Sequence, residues 1–215
     1  MGALLVKANA IMLVFLTTLV PVCADGQTLY SFDSAEDFLA PAAVWPAWRE
    51  TLVRHETERE EIHRCVLDIE ACAGRIKGLR LVLIKGRGLT LEQQIRLVNR
   101  YINLQQYKDD RVSVASEAGN QWMTLLEFLH NGGDCEDFAA AKYFVLRELG
   151  VDAEDMRIVI GREPKRTTHH AMLAVRLDEG VWLLENDNTI HRNGYQDINN
   201  FVYAINEQGI WDHEK

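Results

Sequence analysis

Apolar positions recur at helical spacing through the first two thirds of the chain and at strand spacing in the last third. Pro46 sits where a helix can begin, at the position where a missing N–H costs nothing. Trp48, Leu52, His55, Ile62, Val66 and Ile69 then fall close to one face. The charged stretch from Glu56 to Glu61 interrupts that face as solvated surface, and Gly74 is expected to end the helix. A shorter apolar segment, Leu79 to Ile84, leads to Gly86 and Gly88. Thr90 with Gln93 reads as a capping box for a helix whose face carries Leu91, Ile95, Val98 and Ile102. The polar stretch from Lys108 to Asn120 shows no periodicity and reads as a loop. Thr124 with Glu127 forms a second capping box, opening a short helix that stops at Asn131-Gly132-Gly133.

Asp134 is the expected N-cap of the next helix, which repeats Phe138, Ala141, Val145 and Leu149 and ends at Gly150. Beyond Gly150 the period changes. Arg157 to Gly161, Thr168 to Leu177, Val181 to Asn186 and Phe201 to Asn206 read as strands, with a tight turn at Asp178-Glu179-Gly180. Helices followed by antiparallel strands predict an α+β fold, N-terminal helices packed on a C-terminal antiparallel sheet. The helical part runs from about 45 to 150 and the sheet part from about 155 to 210.

The N-terminus changes the picture. Lys7 precedes an apolar run from Ala10 to Val20, and Val22-Cys23-Ala24 offers small residues at the positions a signal peptidase reads. Residues 1–24 are therefore expected to be a cleavable signal peptide, with 25–215 as one exported, periplasmic domain. The run is shorter than the ~20 residues of a spanning helix. Net charge is −9, and basic residues form no long run, which argues against a nucleic-acid partner.

Export bears on the cysteines. Of the 4 in the sequence, Cys23 leaves with the leader, so Cys65, Cys72 and Cys135 remain. On one straight helix Cys65 and Cys72 would be ~10.5 Å apart along the axis, too far for a disulfide. They can pair only if the helix breaks before Cys72. A disulfide and two ordinary core cysteines both remain open, and either leaves Cys135 as the free thiol.

Cys135 falls at or beside the first position of its helix. Unpaired N–H groups and the helix dipole there stabilise a thiolate, and the preceding glycines let the backbone approach a substrate. The Cys135 N–H is a candidate oxyanion donor. The rival reading is a structural cysteine at a helix start. His170 tips the balance, because it lies early in the strand from Thr168 to Leu177. Counting back across the hairpin places Asp187 opposite or nearly opposite it. Cys135, His170 and Asp187 then form a nucleophile, base and orienting acid, with Asn186 or Asn188 as substitutes if the register slips. His169 is the rival base. Zinc held by Cys135, His169 and His170 is disfavoured, since adjacent strand residues point to opposite faces.

Asp134, Glu136 and Asp137 crowd the same helix start. Carboxylates favour that position as caps, but three exceed what capping needs, and their charge opposes a thiolate. A bound calcium ion would resolve the conflict, with further ligands from backbone, water or the 108–120 loop.

The run Asn131-Gly132-Gly133-Asp134-Cys135-Glu136-Asp137-Phe138, with Lys142-Tyr143 and Leu149-Gly150, resembles the nucleophile helix of bacterial transglutaminase-like cysteine proteases. His169-His170-Ala171-Met172-Leu173-Ala174-Val175 and Leu183-Leu184-Glu185-Asn186-Asp187-Asn188 are similar to that family's histidine and aspartate strands, and Trp122 and Glu127 also fit. The likeness is strongest to its LapG type. It implies a papain/transglutaminase-like core and a Cys-His-Asp triad. It further implies calcium dependence and cleavage near the N-terminus of a large surface adhesin, at a motif such as paired alanines, which releases the adhesin and promotes biofilm dispersal. Control by an inner-membrane cyclic di-GMP receptor that sequesters the protease is implied as well. The same triad would also serve a transglutaminase or acyltransferase, and a calcium-binding scaffold that has lost catalysis is the non-enzymatic alternative.

Overall fold

A computed structural model describes residues 30–32, 36–74, 76–108, 122–163, 168–192 and 200–213. The expected signal peptide and most of the 108–120 loop lie outside the described residues. Among the described residues a short strand β1 (Asp37–Pro41) precedes five α-helices: α1 (Pro46–Leu67), α2 (Ile76–Gly86), α3 (Leu91–Ile102), α4 (Leu125–Asn131) and α5 (Cys135–Glu148). Six strands follow: β2 (Met156–Glu163), β3 (Thr168–Leu177), β4 (Gly180–Leu184), β5 (Ile190–His191), β6 (Asn200–Ile205) and β7 (Gly209–Asp212). They form one seven-stranded antiparallel sheet in the order β1-β7-β6-β2-β3-β4-β5. The α+β expectation holds. Among the described residues no helix is long and apolar enough to cross a membrane.

Both expected capping boxes are present. Thr90 accepts from the Gln93 amide while Gln93 accepts from Thr90, and Thr124 and Glu127 repeat the exchange. The long first helix ends earlier than expected. It stops at Leu67, and a single 3-10 turn reverses the chain before Gly74. That turn brings the Cα atoms of Cys65 and Cys72 to 4.5 Å, and the two form a disulfide. The straight-helix spacing therefore never applies to this pair. The short apolar segment around Leu79 is a helix, α2.

Helix α5 is the centre of the molecule. Every residue from Asp137 to Leu146 is buried, because α3 and α4 cover one side and β2 and β3 the other. Three successive alanines, Ala139 to Ala141, let these layers approach closely. The sheet is covered on both faces. Ile158, Ile160, Leu173, Val175 and Leu184 face the helices. Val159, Met172, Ala174, Leu183 and Phe201 face the lead-in residues Tyr30 and Phe32. A doubly covered strand loses polar alternation, which is why β3 reads as nearly continuous apolar sequence.

Candidate active site

The loop before α5 is shaped by backbone demands. Gly132 takes φ 74°, where a side chain is strained, and a Cβ there would collide with the Gln106 carbonyl oxygen. A Cβ on Gly133 would collide with the Asp137 carboxylate. Both glycines let the loop pair with the segment after α3: Gly133 N–H donates to the Gln106 carbonyl at 3.3 Å, and Lys108 N–H donates to Gly133 at 2.8 Å. This clamp sets where α5 begins, and Cys135 is its first residue.

The Cys135 sulfur lies half-buried beneath β3, against the backbone amide of Ala171. Its thiol donates to Glu136 Oε2 at 3.2 Å. Burial pushes the thiol well above its ordinary pKa, and the charges of Glu136 and then Asp134 push further. The Ala171 amide works in the opposite direction. In this state the sulfur is a thiol held by a carboxylate.

His170 immediately precedes Ala171, so the strand that touches the sulfur also delivers the imidazole. His169 is exposed on the opposite face, and His170 is partly buried. The His170 Nε2 lies 2.8 and 3.0 Å from the two carboxylate oxygens of Glu185. Both groups are secluded, with side-chain exposures of 14% and 6%.

Here the structure corrects the expected orienting acid. The pairing Leu173 with Leu184 does extrapolate to Asp187 opposite His170, but the ladder stops at Leu184. Glu185 N–H then donates to the Thr189 carbonyl at 3.0 Å, closing a turn that ends on Asn188 at φ 76°. The turn carries Asp187 away to accept from Thr189 N–H at 2.9 Å. That bond holds the Asp187 carboxyl below its ordinary pKa against the opposing effect of partial burial. The longer Glu185 side chain reaches His170 from the strand end.

The three acids also separate. Ligand atoms of Asp134, Cys135 and Glu136 lie within 4.8 Å of one another, a group that does not include Asp137. Asp137 is buried and caps backbone instead: Oδ1 accepts from Met123 N–H at 2.8 Å and Oδ2 from Asp134 N–H at 3.3 Å. Two converging carboxylates, Asp134 and Glu136, suit a hard cation, whereas Asp137 is committed to the helix start.

Sequence reasoning assigned no site role to Tyr203, Lys142 or Glu185. Tyr203 on β6 is electrostatically coupled to both Glu136 and Cys135, although burial is the larger cause of its raised pKa. Its ring packs against Trp45, which in turn packs on Trp122. Lys142, two turns along α5 from Cys135, is fully buried beside Glu185. The signal for Glu185 was present as the first acid after β4, and for Lys142 as a lysine inside the otherwise apolar run from Phe138 to Leu146.

The sequence profile of the bacterial transglutaminase-like cysteine proteinases matches residues 65–208. The chain belongs to that family. Among solved structures it resembles Legionella pneumophila LapG in a calcium-bound form, at 25% identity over 73% of this chain and 88% of that one, with a TM-score of 0.61. A second Legionella pneumophila LapG structure gives 26% identity, 71% and 86% coverage and a TM-score of 0.60. An EGTA-treated form gives 25%, 73%, 86% and 0.61. No protein with a curated description matches. The chain is thus a cysteine proteinase with a LapG-like fold, as the motif around Cys135 implied.

Proposed function

We propose that this proteinase is a calcium-dependent periplasmic endopeptidase that cleaves near the N-terminus of a large surface adhesin, releasing the adhesin and promoting biofilm dispersal. The contact between His170 and Glu185, set one residue from the amide that touches the Cys135 sulfur, carries the catalytic part of this reading. With Nε2 engaged by Glu185, Nδ1 is the nitrogen that takes the Cys135 proton. The thiolate attacks the scissile carbonyl, the Cys135 N–H and neighbouring loop amides supporting the oxyanion. His170 then returns its proton to the leaving amine. Water, deprotonated by the same imidazole, releases the acyl group and regenerates the thiol. Glu185 stabilises the imidazolium throughout and holds its tautomer.

Calcium fits the residues at the helix start. Asp134 and Glu136 would hold it, and it would supply positive charge beside the sulfur. Glu136 at present accepts the thiol proton's hydrogen bond, and the two acids together hold the thiol up. Engaging them elsewhere removes the groups that most oppose ionisation after burial. The calcium-bound LapG relative supports this reading. Any ligand from the 108–120 loop lies outside the described residues.

Export by the N-terminal leader, and sequestration by an inner-membrane cyclic di-GMP receptor, complete the proposal. An intact mass beginning at Asp25 in the periplasmic fraction tests the first, and co-purification that depends on cyclic di-GMP tests the second. Retained residues 1–24, or a receptor fraction that never holds the protein, would refute them. The test of the whole is incubation of the purified protein with adhesin N-terminal fragments. Calcium should support cleavage and EGTA should stop it. Full cleavage in excess EGTA removes calcium from the account.

A further inference from the structure

One carbonyl in the site receives two donors, one on α5 and one at the C-terminal cap of α3. The Glu185 main-chain oxygen accepts from Lys142 Nζ of α5 at 2.6 Å and from Asn103 Nδ2, just past α3, at 2.8 Å. A third tie follows in the same turn, where Asn99 Nδ2 of α3 donates to the Asn188 carbonyl at 3.1 Å. A lysine that is 1% exposed is costly unless its ammonium is well partnered. Ordinary packing does not require it, since its buried neighbours from Phe138 to Leu146 are alanines, aromatics, valine and leucine.

We infer that Lys142 and Asn103 are positioning residues for the active site, holding the Glu185 backbone so that its carboxylate meets His170. This rests on the reading of His170 as the base and Glu185 as its orienting acid. The need is geometric. Glu185 lies beyond the last β4 residue paired with β3, and its N–H closes the turn to Thr189, which leaves its carbonyl to be held from the helix side. Its carboxylate is held to both contacts with one imidazole nitrogen. The turn holds Glu185 through its own N–H, and the Asn186 N–H donates to its carboxylate at 3.2 Å; the carbonyl clamp adds the restraint from the helices. It also ties the strand end to α5, the helix that carries Cys135, so nucleophile and orienting acid share one rigid support. Burial lowers the Lys142 amine to about 7, yet a neutral amine still donates N–H, so the clamp persists on either side of that value.

The test uses the full mature protein labelled with isotope in histidine. Lys142→Met keeps the volume and removes the donor. Asn103→Ala removes the other donor at a less buried site, and decides the matter alone if the first variant does not fold. In the wild type the His170 Nε2 proton should resonate far downfield and exchange slowly, as a proton bonded to a buried carboxylate. In both variants that signal should move upfield or be lost to exchange at unchanged secondary structure. The iodoacetamide rate of Cys135 at neutral pH should fall about tenfold in Lys142→Met and by less in Asn103→Ala. An unchanged His170 signal in the folded variants overturns the inference, as does a wild type lacking the signal. A protein that shows the signal change yet cleaves no peptide refutes the proteolytic assignment and supports the clamp.

Discussion

Replacing Glu185 with glutamine should cripple the enzyme, whereas Asp187→Asn should be tolerated. Glu185→Gln preserves size and removes the charge that meets His170 at 2.8 Å. A hydrogen bond to a charged group contributes about 1.5–3 kcal/mol, and each ~1.4 kcal/mol is tenfold in rate. The loss of kcat should therefore be roughly 10- to 150-fold from this bond alone, and greater if the glutamine amide turns its N–H toward the ring and enforces the wrong tautomer. KM should change little, since Glu185 is buried behind the imidazole rather than exposed to substrate. Asp187→Asn retains an oxygen for the Thr189 amide and should stay within about threefold of wild type, the usual range for a surface change of ~0.5 kcal/mol. Steady-state cleavage of an adhesin fragment measures both, with Cys135 alkylation at neutral pH as a substrate-free check. Full activity in Glu185→Gln together with loss in Asp187→Asn would refute the assignment.

His170→Ala should abolish turnover while the exposed His169 tolerates the same change; the reverse result would place the base on the wrong strand face. In the native protein Cys135 should be the sole cysteine alkylated by iodoacetamide, because Cys65 and Cys72 form a disulfide; peptide mapping that finds label on either would contradict this. Burial lowers Lys142 from its ordinary 10.5 to about 7. Between those values the unfolded chain holds a proton that the folded one releases, so this group makes stability rise with pH across that window. Melting temperatures from pH 7 to 10 should rise less steeply in Lys142→Met than in wild type, and identical slopes would show the lysine titrates normally.

Much of this was legible in the sequence because local rules and tertiary packing agreed. The two capping boxes at Thr90 and Thr124, and the start of α5 at Cys135, follow from side chains that satisfy the backbone within three residues. His170 was separable from His169 only through an inferred hairpin register. That register was sound to Leu184, but pairing ceased before Asp187 was reached. A turn closed by Glu185 and Thr189 is a local choice that hydrophobic periodicity does not encode. For the same reason the Cys65–Cys72 disulfide stayed one of two open readings, since it depends on the helix break, which falls after Leu67. Strands β1, β5 and β7 are too short to show a period. Lys142 and Asn103 converge from positions far apart in sequence, so their partnership exists only in the folded chain.

The most direct test is the mass of the products when the mature protein meets an adhesin N-terminal fragment in calcium and an added primary amine. Hydrolysis by Cys135 predicts two fragments whose summed mass exceeds the substrate by one water, no amine adduct, and no reaction with Cys135→Ala. An adduct carrying the amine as the main product, or undiminished cleavage by Cys135→Ala, would contradict it.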